Sequence, residues 1–276
     1  MNRRWGPHFL AYLVAIVLTL FIGFPLFWMV LSSLKPSSEL FVYPPRVLPH
    51  EITLVWYRNV IANSDTITLF RNSLIIGLST TFICLTIATL AAYGVTRFDF
   101  PGRRIFVAGA LVSYLFPAVV LFIAVYMIIN ALGLSDTLLG VILCHCLLAF
   151  PFALWMLKSF FESIPTDIDE AAWVDGASFL RTFAMIILPL ALPAIFSVAV
   201  FVFVLSWNEF LFASILITSS DIKTIPIGIA EFITSFDIRW GEIMAIGTLA
   251  TVPVVVLFLL VQRYFIRGMI SGAVKG

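Results

Sequence analysis

His145 stands between Cys144 and Cys146, and an imidazole beside two thiols is the donor set of a metal site. Helical spacing argues against that use. Successive helical residues turn by about 100°, so side chains two apart point about 200° apart and cannot close on one ion. The expectation is a neutral histidine hydrogen-bonded to a neighbouring helix, with no metal bound and no carboxylate partner in view along the sequence. The second candidate is Glu209, the one acidic residue deep in an apolar run, preceded by Trp207 and Asn208. An ionisable group at the centre of a membrane helix costs about 2.5–3.5 kcal/mol on insertion scales, so it needs a partner or a use. Tyr126 and Asn130, at i and i+4, put a polar stripe on another apolar run, although a tyrosine near a membrane edge is equally an interfacial anchor. No H-E-x-x-H, G-x-S-x-G or G-x-x-x-x-G-K-[ST] pattern occurs. The chain therefore offers no catalytic residues and no phosphate-binding loop of its own.

The elements that must carry these residues are membrane helices. The 276 residues are 62% hydrophobic and 11% charged, with a mean hydropathy of +1.10, which excludes a water-soluble globule. A net charge of +1 supplies no basic field for nucleic acid. Cys84, Cys144 and Cys146 all lie in apolar stretches, which excludes a secreted disulfide scaffold. Six stretches reach the roughly 20 residues that a bilayer core about 30 Å thick requires: 9–31, 69–93, 105–129, 137–157, 189–218 and 240–262. We read 1–276 as a single transmembrane domain, all-α, with six spans. The first run is too long for a signal-peptide core, and Leu31-Ser32-Ser33 lacks an A-x-A cleavage pattern, so it is expected to be retained. With both termini inside, ten Lys and Arg lie on the cytoplasmic side and six outside, and the short inner loop Arg97–Arg104 holds three of them. Pro25, Pro117, Pro151, Pro189, Pro193 and Pro253 fall within or at the edges of these runs, which predicts bent helices packed around a path rather than straight anchors.

Two outer connections, 32–68 and 219–239, have the proline and aromatic content of ordered loops. The inner segment 158–188 is the most distinctive part of the chain. Pro165 can open a helix, Asp167, Asp169 and Glu170 suit the positive end of its dipole, and Gly176 supplies a stop that needs positive φ. Ser178 can cap a second short helix, whose Phe179, Phe183 and Ile186 would pack under the bundle. An interfacial amphipathic helix without a partner would explain these apolar residues, but an acidic first turn is unsuited to an anionic leaflet.

Glu170-Ala171-Ala172, Asp175-Gly176-Ala177, Ile186, Leu188, Pro189 and Pro193 together resemble the EAA loop of permease subunits of binding-protein-dependent ABC importers, in the carbohydrate class of the maltose and trehalose type. The likeness covers nearly the whole chain. It includes Ser33-Leu34-Lys35-Pro36, Asn72-Ser73, Arg97-Phe98, Phe100-Pro101-Gly102-Arg103, Gly133-Leu134 with Asp136-Thr137, Trp207-Asn208-Glu209 and the tail from Ser271.

The resemblance implies the type I importer permease fold, six transmembrane helices with a cytoplasmic coupling helix, in a bacterial or archaeal cytoplasmic membrane. It implies that Glu170, Ala171, Ala172, Trp173, Asp175, Gly176 and Ala177 couple to an ATPase, and that Gly272, Ala273, Val274, Lys275 and Gly276 touch it. Trp173 stands where a smaller or polar residue is the family expectation, which bears on the shape of the receiving pocket. The implied partners are a second homologous permease, two ATPase subunits and an extracytoplasmic sugar-binding protein, which segment 219–239 would help to unload. This chain would bind no cofactor, ATP and Mg belonging to the ATPase. Trp207, Asn208, Glu209, Tyr126 and Asn130 are the candidate sugar path, since a carboxylate and an amide beside an aromatic face suit carbohydrate. For Glu209 a packing role between permease subunits stands equally beside that. The rival reading is an ion-coupled secondary transporter, which would need midplane carboxylates and an internal repeat that are not evident.

Overall fold

A chain this apolar must satisfy its backbone internally, and helices do so within each segment. The computed structural model describes the backbone of residues 6–233 and 238–273, and side chains for residues 9–233 and 238–262. Among the described residues there is no strand, only an isolated bridge between Ile233 and Ile238. In order the helices are α1 (Gly6–Ser33), α2 (Ser37–Leu40), α3 (Val55–Ala62), α4 (Ser64–Arg97), α5 (Arg103–Leu115), α6 (Ala118–Ala131), α7 (Leu138–Ser163), α8 (Asp167–Val174) and α9 (Phe179–Thr182). A π-helical turn, Phe183–Ile187, leads directly into α10 (Leu188–Asn208), followed by α11 (Leu211–Leu216), α12 (Ile225–Glu231) and α13 (Trp240–Ala273). Among the described residues five helical stretches are long and apolar enough to cross a bilayer, and the α5–α6 pair makes a sixth if its 110° bend lies within one span.

Two expected spans are interrupted. The third, 105–129, bends at Phe116–Pro117, because the residue before a proline is forced out of the helical region, and Phe116 is extended at φ −69°, ψ 133°. The fifth, 189–218, ends as a continuous helix at Asn208, with Glu209 extended at φ −71°, ψ 123° before α11 begins. Pro25, Pro151, Pro193 and Pro253 sit inside helices, and Pro189 is in the first turn of α10.

The chain divides into two compact units, Thr68–Ile227 with Val254–Gly276, and Met1–Ile67 with Gly228–Pro253. In the first, α4, α7 and α10 meet over Ala88, Ala92, Ala149, Ala153 and Ala191, with Leu154, Leu157, Phe161 and Val202 filling between them. Small residues one turn apart let helix backbones approach closely, which lipid-solvated helices need because hydrophobic exclusion does not drive their association. A second cluster joins Ile76 of α4, Val125 and Ile129 of α6, Val141 of α7 and Phe212 of α11. Thr137 caps α7, its Oγ1 accepting from Gly140 N at 3.1 Å.

In the other unit the loop after α1 is ordered by its own contacts. Buried Lys35 donates Nζ to Arg46 O at 2.6 Å and lies 4.4 Å over the Trp28 ring, Trp56 Nε1 donates to Lys35 O at 2.7 Å, and Ser33 Oγ bonds Tyr57 Oη at 2.7 Å. Segment 219–239 belongs to the first unit up to Ile227 and to the other from Gly228; it carries a 3₁₀ turn, Ser220–Ile222, and then α12, with residues 234–237 outside the described residues.

Candidate functional site

The two short helices expected between Lys158 and Pro189 are present, and their local causes are visible. α8 ends in a Schellman arrangement: Gly176 has φ +84°, its N–H bonds Trp173 O at 3.0 Å, and Ala177 N–H bonds Ala172 O at 2.9 Å. Ser178 Oγ accepts from Arg181 N at 3.4 Å at the start of α9. The two faces of α8 differ. Glu170, Ala171, Val174 and Asp175 are exposed, whereas Ala172 and Asp169 are buried. Trp173, half-buried, packs edge-on against Phe179 at 4.7 Å between ring centroids, so it faces the fold rather than standing free on the outer surface.

Sequence reasoning missed what holds α8 in place. Tyr93 Oη donates to Asp169 Oδ1 at 2.9 Å, Arg97 Nε donates to Asp169 Oδ2 at 2.8 Å, and Arg97 Nη2 donates to Ile164 O at 2.9 Å. Arg97 reads in the sequence as one of three inner-loop arginines, and Asp169 as a first-turn acid. Their pairing across 72 positions becomes visible only when α4 and α8 are brought together.

In the apolar part, His145 is fully buried and both ring nitrogens are engaged, Nδ1 with Ser206 Oγ at 2.7 Å and Nε2 with Glu209 Oε2 at 3.1 Å. The expected hydrogen bond to a neighbouring helix is there. The expected lack of a carboxylate is corrected, because the break after Asn208 turns Glu209 towards α7. Glu209 also accepts from Phe212 N at 2.9 Å and Ala213 N at 3.0 Å, so the carboxylate satisfies free amides at the start of α11. Glu209 is also among the residues that line a cavity of about 520 Å³, with Tyr114, Phe116, Pro151 and Phe212. The bend in α5–α6, the proline in α7 and the break after α10 thus meet at one void.

The other expected path residues lie elsewhere. Trp207 is 3% exposed and stacks on Phe203 at 5.3 Å, with Phe70 at its edge. Asn208, exposed, donates Nδ2 back to Val204 O at 2.9 Å. Tyr126 is exposed on α6, and Asn130 Oδ1 accepts from Ser135 Oγ at 3.1 Å. None of these four lines the cavity. In the tail, Gly272 and Ala273 fall in the last turn of α13, and Val274, Lys275 and Gly276 lie outside the described residues.

Segment 218–225 is fixed by side chains distant in sequence. Asp136 accepts from Thr218 N and Ser219 N, each at 2.8 Å, and from Ser219 Oγ. The Ser219 hydroxyl, with those amides, holds the Asp136 carboxyl below the usual carboxylate range. Buried Asn72 donates Nδ2 to Asp221 O and Lys223 O, each at 2.9 Å, and Ser73 Oγ accepts from Ile225 N at 2.9 Å.

Residues 84–271 match the family described as binding-protein-dependent transport system inner membrane component. The chain is 37% identical over 267 residues to a trehalose transport system permease protein of Mycobacterium tuberculosis (strain CDC 1551 / Oshkosh), spanning 95% of this chain and 97% of that protein. It is 36% identical over 267 residues to a trehalose/maltose transport system permease protein of Thermococcus litoralis, spanning 95% of each. In fold it is similar to a chain of a bacterial ABC transporter involved in the import of the acidic polysaccharide alginate, with a TM-score of 0.81 over 96% of this chain and 99% of that one, at 20% identity.

Proposed function

The chain belongs to the inner membrane components of binding-protein-dependent transport systems, and from that premise we propose that it passes a di- or oligosaccharide across the cytoplasmic membrane. It is the permease subunit of an ABC importer, a multi-pass membrane protein. The ion-coupled alternative falls with that membership. The observation that carries the sugar reading is the match over 95% of the chain to permeases named for trehalose and for trehalose/maltose transport.

Energy comes from two ATPase subunits, which hold ATP and Mg, and this chain binds no cofactor. The exposed face of α8, with Glu170, Ala171, Val174 and Asp175, suits contact with such a subunit, since it is open to solvent within the chain while the opposite face is anchored. The tail from Gly272 is a second contact. α1 suits a place against lipid or a second, homologous permease, because none of its most apolar stretch is buried within the chain. Both termini lie in the cytoplasm, in keeping with the Lys and Arg bias. The binding protein delivers sugar to the opposite side, where segment 219–239 helps to release it. Glu209, Tyr114 and Phe116 are the sugar-contacting residues we favour, because an acidic and two aromatic residues line one cavity there. Trp207 then serves as the packing support behind them.

The test is ATP hydrolysis and sugar uptake by the complete complex in a lipid bilayer with its binding protein, across a panel of disaccharides and oligosaccharides. One or a few sugars should raise hydrolysis, and Ala171→Trp on the exposed face of α8 should abolish that rise. If no ATPase assembles with the chain, or no sugar is taken up, the reading fails.

A further inference from the structure

Arg97 is the last residue of α4, and its side chain is only 4% exposed; that of Asp169 is 1% exposed. Two groups this far from water are drawn into the fold at a desolvation penalty that an apolar pair of similar volume avoids. What the polar pair supplies instead is direction. Tyr93 and Arg97 lie one turn apart on α4 and take one oxygen each of the Asp169 carboxylate, so α8 is fixed in position and in rotation about its axis. The second arm of the guanidinium takes Ile164 O, the C-cap carbonyl of α7. Three helix termini, those of α4, α7 and α8, are thereby pinned at one side chain.

Around this polar knot runs a line of rings. Tyr93 packs on Phe161, on Phe183 at 4.8 Å and on Phe98, Phe98 packs on Phe179 at 5.5 Å, and Phe179 on Trp173. α8 therefore meets the end of α4 twice, through the carboxylate and through Trp173, Phe179 and Phe98. Its opposite face stays open.

We propose that Asp169, Arg97 and Tyr93 are positioning residues that form a strut, delivering any displacement of α8 to the end of α4. The inference rests on the reading above in which an ATPase subunit docks on the exposed face of α8. A ball-and-socket of apolar side chains would let α8 slide or roll under load; a carboxylate held at both oxygens from one helix transmits the push. The aromatic line keeps water from the knot, which preserves the strength of its hydrogen bonds.

The test measures sugar molecules imported per ATP hydrolysed by the complete complex in liposomes. Arg97→Lys keeps the charge but gives a single ammonium that cannot span Asp169 and Ile164 O in the same fork geometry. Tyr93→Phe removes one of the two holds on Asp169 and leaves the ion pair. Both should still assemble with the ATPases, while import per ATP falls about two- to thirtyfold, the span that coupling through packed networks commonly carries. The fall should be larger for Arg97→Lys. A double exchange, Arg97→Asp with Asp169→Arg, should recover part of the ratio lost in Arg97→Asp alone. If assembled variants keep the wild-type ratio, or lose import and hydrolysis in equal proportion, the strut is overturned. If the wild-type complex neither recruits an ATPase nor imports sugar, the proposed function fails instead, and the two outcomes are told apart by the wild-type arm alone.

Discussion

At the level of single residues, Glu209 has more donors than a neutral replacement can serve. Its two oxygens accept from Phe212 N, Ala213 N and His145 Nε2. Glu209→Gln offers one carbonyl oxygen and points an amide N–H₂ at the remaining donor, and an unmet buried donor costs about 1–3 kcal/mol. The expected result is a drop of several degrees in the thermal midpoint of the purified permease, with His145→Phe falling at least as far because it strips partners from both Glu209 and Ser206. Asp136 leads to a prediction in pH. Its folded-state pKa is lowered by Ser219 and Thr218, so its contribution is complete above the unfolded value of about 3.9 and is lost as pH falls through the lower folded value. The protection of Thr218 N and Ser219 N against hydrogen exchange, taken relative to the intrinsic rate at each pH, should hold down to pH 4 and fall only below it, whereas in Asp136→Asn it should be lower throughout and flat across that window. The identity of these residues as sites was partly legible: Glu209 stood out as an acid in an apolar run. His145 as its partner did not, because helical periodicity cannot foresee that the chain breaks after Asn208.

At the level of elements, the segment around α8 was the best read, since Gly176, Ser178 and the acidic first turn act through neighbours within a few residues. Long-range pairs such as Arg97 with Asp169 leave no such trace. The apolar runs located the five long spans, but hydropathy counts residues and does not register direction, so the 110° turn at Phe116–Pro117 is seen only as a proline in a run. Two glycines separate local strain from close approach. Gly176→Ala places a Cβ in open space at φ +84° and should cost about 1–2 kcal/mol from backbone strain alone. Gly140→Ala would bring a Cβ to 2.2 Å from Leu134 O, between the cap of α7 and the end of α6, and the backbone would have to move. We expect Gly140→Ala to be the more damaging of the two, read as a lower yield of folded permease and faster hydrogen exchange across 129–141.

At the level of the whole molecule, the alanine seam between α4, α7 and α10 sets how closely the larger unit can pack. Ala153→Leu, at a position with no exposed surface, would insert three carbons into that seam and should destabilise by about 1–3 kcal/mol. Ala131→Leu, at the exposed end of α6, should change the thermal midpoint little. Membrane class and the order of apolar runs and loops were written in composition and spacing, whereas the division into two compact units and the void where three irregular helices meet depend on which faces find each other. The π-helical turn at Phe183–Ile187 has a consequence for how the chain can vary. A π turn holds one residue more than the α-helix it interrupts, so α9 and α10 are out of phase by about 100° relative to an unbroken helix. Deleting a single residue from 183–187 should convert the turn to α-helix and keep α10 intact while rotating α9 off Phe98 and Trp173. Relatives that differ in length there would carry the same spans but present a differently aimed α8, a change of orientation made by a gap rather than by a substitution.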